Sequence, residues 1–207
     1  MFQLILDRAK SNSVILGGTS AGTMIWSNPA YGGGSTFGHV YFAESMGLAV
    51  KKISDGAVNG NGLHDIRNGT SGLLYEENGA MFQGFGLLPY LLDTHFDVRG
   101  RLARMISGLV QTKQELGFGM DEPVCLYYDN GVGHVYGKGG VFIADISKAT
   151  RNKNPYFTIN NVHVSYLTVG DTFHFQNKTI IPSPLKHPIT QPKYKTHHDS
   201  YNTFSAY

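Results

Sequence analysis

A single cysteine, Cys125, stands in 207 residues, which excludes an internal disulfide framework and any cysteine-based zinc cluster. It falls in the apolar run Pro123-Val124-Cys125-Leu126-Tyr127-Tyr128, where a buried, inert thiol is the expectation. No stretch approaches the roughly 18 consecutive apolar residues of a membrane helix. Charge of one sign is scarce too. Seventeen Lys and Arg against fifteen Asp and Glu give a formal net charge of +2, no basis for nucleic-acid or membrane partners. No signal-peptide pattern opens the sequence, because Asp7, Arg8 and Lys10 interrupt any apolar core. What is present in quantity is apolar and aromatic residues, 41% and 12% of the chain. That content argues for a globular fold of ordinary single-domain size.

Glycine is distributed unevenly. Half of the 26 glycines fall between residues 31 and 86, in strings such as Tyr31-Gly32-Gly33-Gly34 and Asn59-Gly60-Asn61-Gly62. A structureless loop of that length is improbable in a compact domain, so residues 29–83 are expected to form short hairpins around an active-site mouth. On either side, residues 1–28 and 84–122 read as alternating helices and strands, starting with an amphipathic helix over Met1 to Lys10. Residues 123–181 read as β-rich. Asp129-Asn130-Gly131 is a hairpin turn between Tyr127-Tyr128 and Val132 to Tyr136. Further strands are expected at Val141 to Ile146, Phe157 to Ile159, Val162 to Val169 and Thr172 to Phe175. The fold class that follows is α/β: a central, mostly parallel sheet flanked by helices, with a β-rich C-terminal part.

Residues 182–207 form a tail carrying half of the eight prolines, spaced for extended backbone. His197, His198 and Asp199 within it are adjacent and converge poorly on one ion, so no metal site and no cofactor are expected. Two glycosylation sequons, at Asn68 and Asn177, leave both a cytoplasmic and an extracellular location open.

The chemistry concentrates in Gly18-Thr19-Ser20-Ala21-Gly22. The apolar run Ser13-Val14-Ile15-Leu16-Gly17 before it reads as a buried strand, and Ala21 to Trp26 after it reads as a helix opening. A G-x-S-x-G on such a turn is a nucleophile elbow: it strains the serine backbone, lifts the hydroxyl clear, and aims the Ala21 N–H toward a developing oxyanion. A base must then take the serine proton. Of nine histidines, His95 stands just past the apolar stretch Gly86 to Leu92, where open α/β sheets place their ligands. Arg99, Arg101 and Arg104 follow it. Guanidinium groups pair bidentately with carboxylates, so this cluster predicts a pocket for an acidic substrate. Leu116 to Met120 ends in Asp121 and Glu122, either of which could accept the second N–H of the imidazole.

Four stretches together resemble the cyanophycinases, a branch of the peptidase E-like serine peptidases. They are Gly17 to Gly22, Gly84 to Pro89 leading into Asp93-Thr94-His95-Phe96, the Arg99/Arg101/Arg104 spacing, and Gly117 to Glu122. The resemblance implies a Ser–His–Glu triad of Ser20, His95 and Glu122, with Asp93, Thr94 and the three arginines around the substrate. It implies hydrolysis of β-linked aspartyl-arginine dipeptides from a polyaspartate polymer. It implies a homodimer as well.

The sequence departs from the family in three places. Thr94 stands where glutamine is usual, the segment between Ser20 and His95 is long, and the family's elements ahead of the nucleophile have no counterpart. The expectation is therefore a hydrolytic domain over 1–181, with a separate N-terminal fragment as partner, or a reduced variant. A non-catalytic assembly protein on a peptidase fold, or a hydrolase of another acidic peptide, are the competing expectations.

Overall fold

The structure, a computed structural model, describes residues 2–11, 13–33, 80–82, 84–151 and 158–186. Helix α1 covers Phe2–Lys10, with Arg8 and Lys10 in its last turn, where cations complement the helix dipole. Helix α2 is a single turn, Ala21–Met24. Strands β1 (Ala30–Gly33) and β2 (Ala80–Phe82) pair antiparallel and flank most of the glycine-rich stretch. The hairpins expected inside that stretch, the Asn68 sequon and most of the tail lie outside the described residues.

The next elements build the frame of the site. Strand β3 is Leu91–Asp93, helix α3 is Leu102–Thr112 and strand β4 is Leu116–Met120. Strands β5 (Val124–Asp129), β6 (Val132–Gly137) and β7 (Gly140–Asp145) follow in close succession. The turn between β5 and β6 uses Asn130 and Gly131 at φ of 46° and 82°, the left-handed pair that a tight hairpin requires. After β8 (Thr150–Arg151) and β9 (Ile159–Asn160) come β10 (His163–Thr168), β11 (Thr172–His174) and β12 (Thr179–Ile181).

Among the described residues there are two four-stranded sheets, ordered β10-β7-β4-β3 and β12-β11-β6-β5. The first is mixed rather than mostly parallel. Only β3 and β4 run parallel in it, while β7 pairs antiparallel with both β4 and β10. The reason lies in the connections. Helix α3 provides a crossover between β3 and β4, whereas β4 reaches β7 through the β5–β6 hairpin and so returns in the opposite sense.

Strand β4, Leu116-Gly117-Phe118-Gly119-Met120, explains how the layers meet. Successive side chains of a strand point to opposite faces. Leu116, Phe118 and Met120 join Val135, Phe173 and Phe175 in one core cluster, where Phe118 lies 5.4 Å from Phe173 and 5.1 Å from Phe175, ring centre to ring centre. The opposite face carries only glycine. A Cβ on Gly117 would lie 2.9 Å from the Met105 sulfur, and one on Gly119 would lie 2.2 Å from the Phe96 ring. The bare face lets α3 and Phe96 seat against the sheet, joining Met105, Leu109, Tyr31 and Met81 in a second core cluster.

Three expectations are corrected here. Residues 13–17 form no strand. They run irregularly, with Ile15 84% exposed, and nothing among the described residues pairs with them. The apolar stretch from Gly86 is strand only from Leu91. Gly86 has φ of 63°, Pro89 lacks an N–H, and the preceding residues fold over 25–27 through Phe85 N to Ile25 O (2.7 Å) and Leu87 N to Trp26 O (3.0 Å). Cys125 is exposed, because Val124 and Leu126 turn inward and the period of two puts the thiol on the outer face.

Gly119→Ala is expected to lower stability by about 2 kcal/mol, the scale of overpacking a filled core. Chemical denaturation of the variant measures this, and an unchanged midpoint would contradict the seating of Phe96 on a bare strand.

Candidate active site

The turn at Ser20 is closed by its own small residues. A Cβ on Gly18 would sit 2.0 Å from the Gly22 carbonyl oxygen, so no larger residue fits there. The Thr23 hydroxyl donates to the Gly18 carbonyl at 2.5 Å, and the Gly22 and Thr23 N–H groups donate to Thr19 and Ser20 carbonyls at 2.9 Å each. These bonds hold Ser20 at φ 52°, ψ −126°. A non-glycine residue in such a region stores on the order of 1–3 kcal/mol of strain. The Ser20 side chain is exposed, and the Ala21 N–H follows it at the head of α2.

His95 leaves the carboxyl end of β3 in a left-handed conformation, φ 49°. Its Nε2 lies 2.8 Å from Ser20 Oγ, and its Nδ1 is in hydrogen-bond contact with Oε1 of Glu122. Glu122 stands just past the carboxyl end of β4. Parallel neighbours end on the same side of a sheet, so residues 27 positions apart meet there. The histidine is largely covered, with 23% of its side chain exposed, while Glu122 retains 54%. Asp121 points elsewhere: its oxygens accept from the Asp97 N–H at 3.2 Å and the Tyr166 hydroxyl at 2.7 Å. Of the two carboxylates ending the β4 run, Glu122 is the one in contact with the imidazole.

Beneath this line sits a buried ionic cluster. Asp93 is fully buried, and Arg104, 1% exposed, grips it through Nε to Oδ2 (2.7 Å) and Nη2 to Oδ1 (2.5 Å). Arg101 Nη1 reaches the same Asp93 Oδ1 at 3.2 Å and the Thr94 carbonyl at 2.6 Å. Tyr31 completes the cage. Its hydroxyl donates to the Arg104 carbonyl at 3.0 Å, and the guanidinium carbon lies 4.5 Å over its ring. Burial and the Asp93 charge hold the Tyr31 phenol well above its ordinary range. In this structure Arg104 and Asp93 are therefore committed to each other. Arg101 is buried with them, so of the three arginines Arg99 alone, in the turn before α3, is exposed. The reason is energetic: breaking a buried pair costs about 3–5 kcal/mol, so a buried arginine needs its carboxylate.

Two arginines against one aspartate leave an uncompensated positive charge below His95. Burial lowers the histidine's pKa from its ordinary value, Arg99 and Arg101 lower it further, and Asp93 opposes them. The neutral imidazole, with a lone pair free at one nitrogen, is the form able to accept a proton. Beside it, Thr94 is buried and its hydroxyl has no partner among the described residues; the indole N–H of Trp26 is in the same position. Among the described residues no group of three or more His, Cys, Asp or Glu side chains is placed to hold a metal ion, and no helix is long and apolar enough to cross a membrane. His197, His198 and Asp199 lie outside the described residues.

A serine hydroxyl hydrogen-bonded to a neutral histidine, itself oriented by a carboxylate, can deliver an oxygen nucleophile. The structure brings Ser20, His95 and Glu122 together, the three that the resemblance implied, while no local pattern ties Tyr166 or Tyr31 to the site. Removing the Arg99 charge favours the imidazolium. Arg99→Gln is thus expected to move the acid limb of a kcat/KM–pH profile to higher pH. A limb that stays in place or moves lower would contradict this electrostatic account.

No protein-family model matches the chain. Curated cyanophycinases do resemble it. The one from Trichormus variabilis is 34% identical over 111 residues, 50% of this chain and 37% of the relative. That of Synechococcus elongatus is 35% identical over 112 residues, 48% and 35% of the two chains. That of Geminocystis herdmanii is 29% identical over 147 residues, 70% of this chain and 42% of the relative. The aligned segments thus span well under half the length of these relatives. These likenesses, over about half of this chain, support a relation to the cyanophycinase/peptidase family.

Proposed function

We propose that the chain is a serine-type exopeptidase of the cyanophycinase type, acting on β-aspartyl (aspartyl-arginine) peptides through Ser20, His95 and Glu122. One observation carries the reading: the unbroken line from Ser20 Oγ to His95 Nε2 at 2.8 Å and from His95 Nδ1 to Glu122. In this reading Gly18 to Gly22 is the nucleophile elbow. Ser20 Oγ attacks the scissile carbonyl carbon as His95 Nε2 takes its proton. The oxyanion so formed is met by the Ala21 N–H. Collapse expels the amine, which receives the proton from His95 and leaves an acyl-serine. Water then attacks the ester, with His95 again as base, and Ser20 is restored. Glu122 orients the imidazole and supports its charged form.

The substrate class follows from charge. The exposed Arg99 would receive a substrate carboxylate, and the buried Arg101 and the unpartnered Thr94 hydroxyl would supply charge and a polar group behind it. Arg104 and Asp93 act from below, holding Arg101 and Thr94 in place.

A partner polypeptide is part of the proposal. The run 13–17 has a strand's composition, yet among the described residues it stays unpaired with Ile15 exposed, and β3 forms one edge of its sheet. A strand supplied by an N-terminal fragment or a second subunit would find both. The same observation favours the assembly protein as the second reading, and turnover separates the two.

With cyanophycin as substrate, released β-aspartyl-arginine is expected to depend on Ser20. Ser20→Ala should lose about 10⁴-fold or more in kcat while melting as the parent does. Retained turnover in that variant would sink the serine mechanism. Intact-mass analysis of the native material would reveal a co-purifying N-terminal partner.

A further inference from the structure

Strand register puts Tyr166, Phe142 and Gly119 side by side across β10, β7 and β4. The Tyr166 ring packs 4.5 Å from Phe142, and Phe142 packs 5.2 Å from Phe96, which occupies the space that Gly119 leaves bare. The row ends on the turn carrying His95. At its other end the Tyr166 ring lies over Gly140, where a Cβ would approach within 2.4 Å.

The hydroxyl of Tyr166 closes the row into a loop. It donates to Oδ2 of Asp121 at 2.7 Å, while Oδ1 of the same carboxylate accepts the Asp97 N–H at 3.2 Å. The Asp121 backbone N–H donates to the Gly140 carbonyl at 3.1 Å, and the Phe96 N–H donates to the Met120 carbonyl at 3.2 Å. Asp121 is thus buried between the turn after His95 and the residue that becomes Glu122. Its carboxylate is the side-chain tie from one to the other. Burial pushes the Asp121 carboxyl up from its ordinary value, and the Tyr166 bond opposes that shift by supporting the charge. Without the hydroxyl, a buried carboxylate with one fewer donor is left to protonate or turn toward water, releasing the Asp97 N–H.

We propose that Tyr166 and Asp121 are positioning residues that fix the His95 imidazole against Glu122, clamping the His95 turn from the far edge of the sheet. The proposal rests on the Ser20–His95–Glu122 reading for its effect on turnover, but not for its effect on geometry. Asp121 works as a two-acceptor tie, not as a charge acting on the imidazole.

Three variants test it. Tyr166→Phe removes one oxygen atom and keeps the packed ring, so it is expected to fold. Its kcat on cyanophycin should fall about ten- to a hundredfold with KM within about twofold, since small misplacements of catalytic groups are costly. The low-field NMR resonance of the His95 Nδ1 proton bonded to Glu122 should shift or disappear. Asp121→Ala should do the same. Asp121→Asn can accept from Asp97 through its carbonyl oxygen and donate to the Tyr166 oxygen through its amide, and so should retain kcat within about threefold. An unchanged kcat and an unchanged His95 proton in Tyr166→Phe would overturn the clamp. So would an Asp121→Asn variant as impaired as Asp121→Ala, which would assign Asp121 a role through its charge. Should Ser20→Ala retain full turnover, the serine reading fails, and the His95 proton alone decides. Its shift or loss in Tyr166→Phe upholds the clamp, and an unchanged resonance overturns it.

Discussion

The parallel pairing of Leu91–Asp93 with Leu116–Met120 is the constraint on which the site depends. Parallel neighbours deliver their carboxyl ends to one edge, so the residues just beyond them are forced together whatever the length of chain between. Here that chain contains α3, and α3 can lie on the sheet only because β4 presents glycine on that face. The same bareness admits Phe96, whose seat fixes the turn at His95. A composition of two alternating glycines thus acts at three levels: helix packing, core closure and the direction of an imidazole.

Charge is arranged by depth. The buried cluster of Asp93, Arg101 and Arg104 sits under His95, with Arg99 at the rim. Its rigid part is neutralised by Asp93, and in the proposed reading the exposed Arg99 would meet an acidic substrate. The arginines' field also disfavours the imidazolium in the resting protein, leaving the histidine ready to accept a proton. Guanidinium groups near a base therefore do two jobs, and how deeply each is buried decides which one dominates. Arg104 braces the layer beneath, while Arg99 is available to a ligand.

Much of this was legible in the residues and some of it was not. The amphipathic first helix, the β4 run and the Asn130-Gly131 hairpin were readable because each is governed by local periodicity or by a conformation few residues tolerate. Ser20 and His95 were marked as candidates by small residues and an apolar run, whereas the residues alone left Asp121 and Glu122 open, and only the resemblance pointed to Glu122. The run 13–17 misled, since a strand needs a neighbour as well as a composition. Cys125 misled through phase: its run is apolar, but one side of it faces outward. Arg104 was expected at a pocket for substrate carboxylates, because the sequence does not show that Asp93 is placed to receive it. Tyr166 was invisible for the same reason, being 45 residues from its partner in the chain.

The central claim is that Ser20 is a nucleophile activated by His95. Covalent labelling tests it most directly: the protein is treated with an aryl fluorophosphonate and the adduct is mapped by peptide mass spectrometry, for the parent and for His95→Ala. The account predicts one phosphonyl group, on Ser20, formed rapidly in the parent and far more slowly without the histidine. Label absent from Ser20 in a folded parent protein, or forming there equally fast without His95, would contradict it.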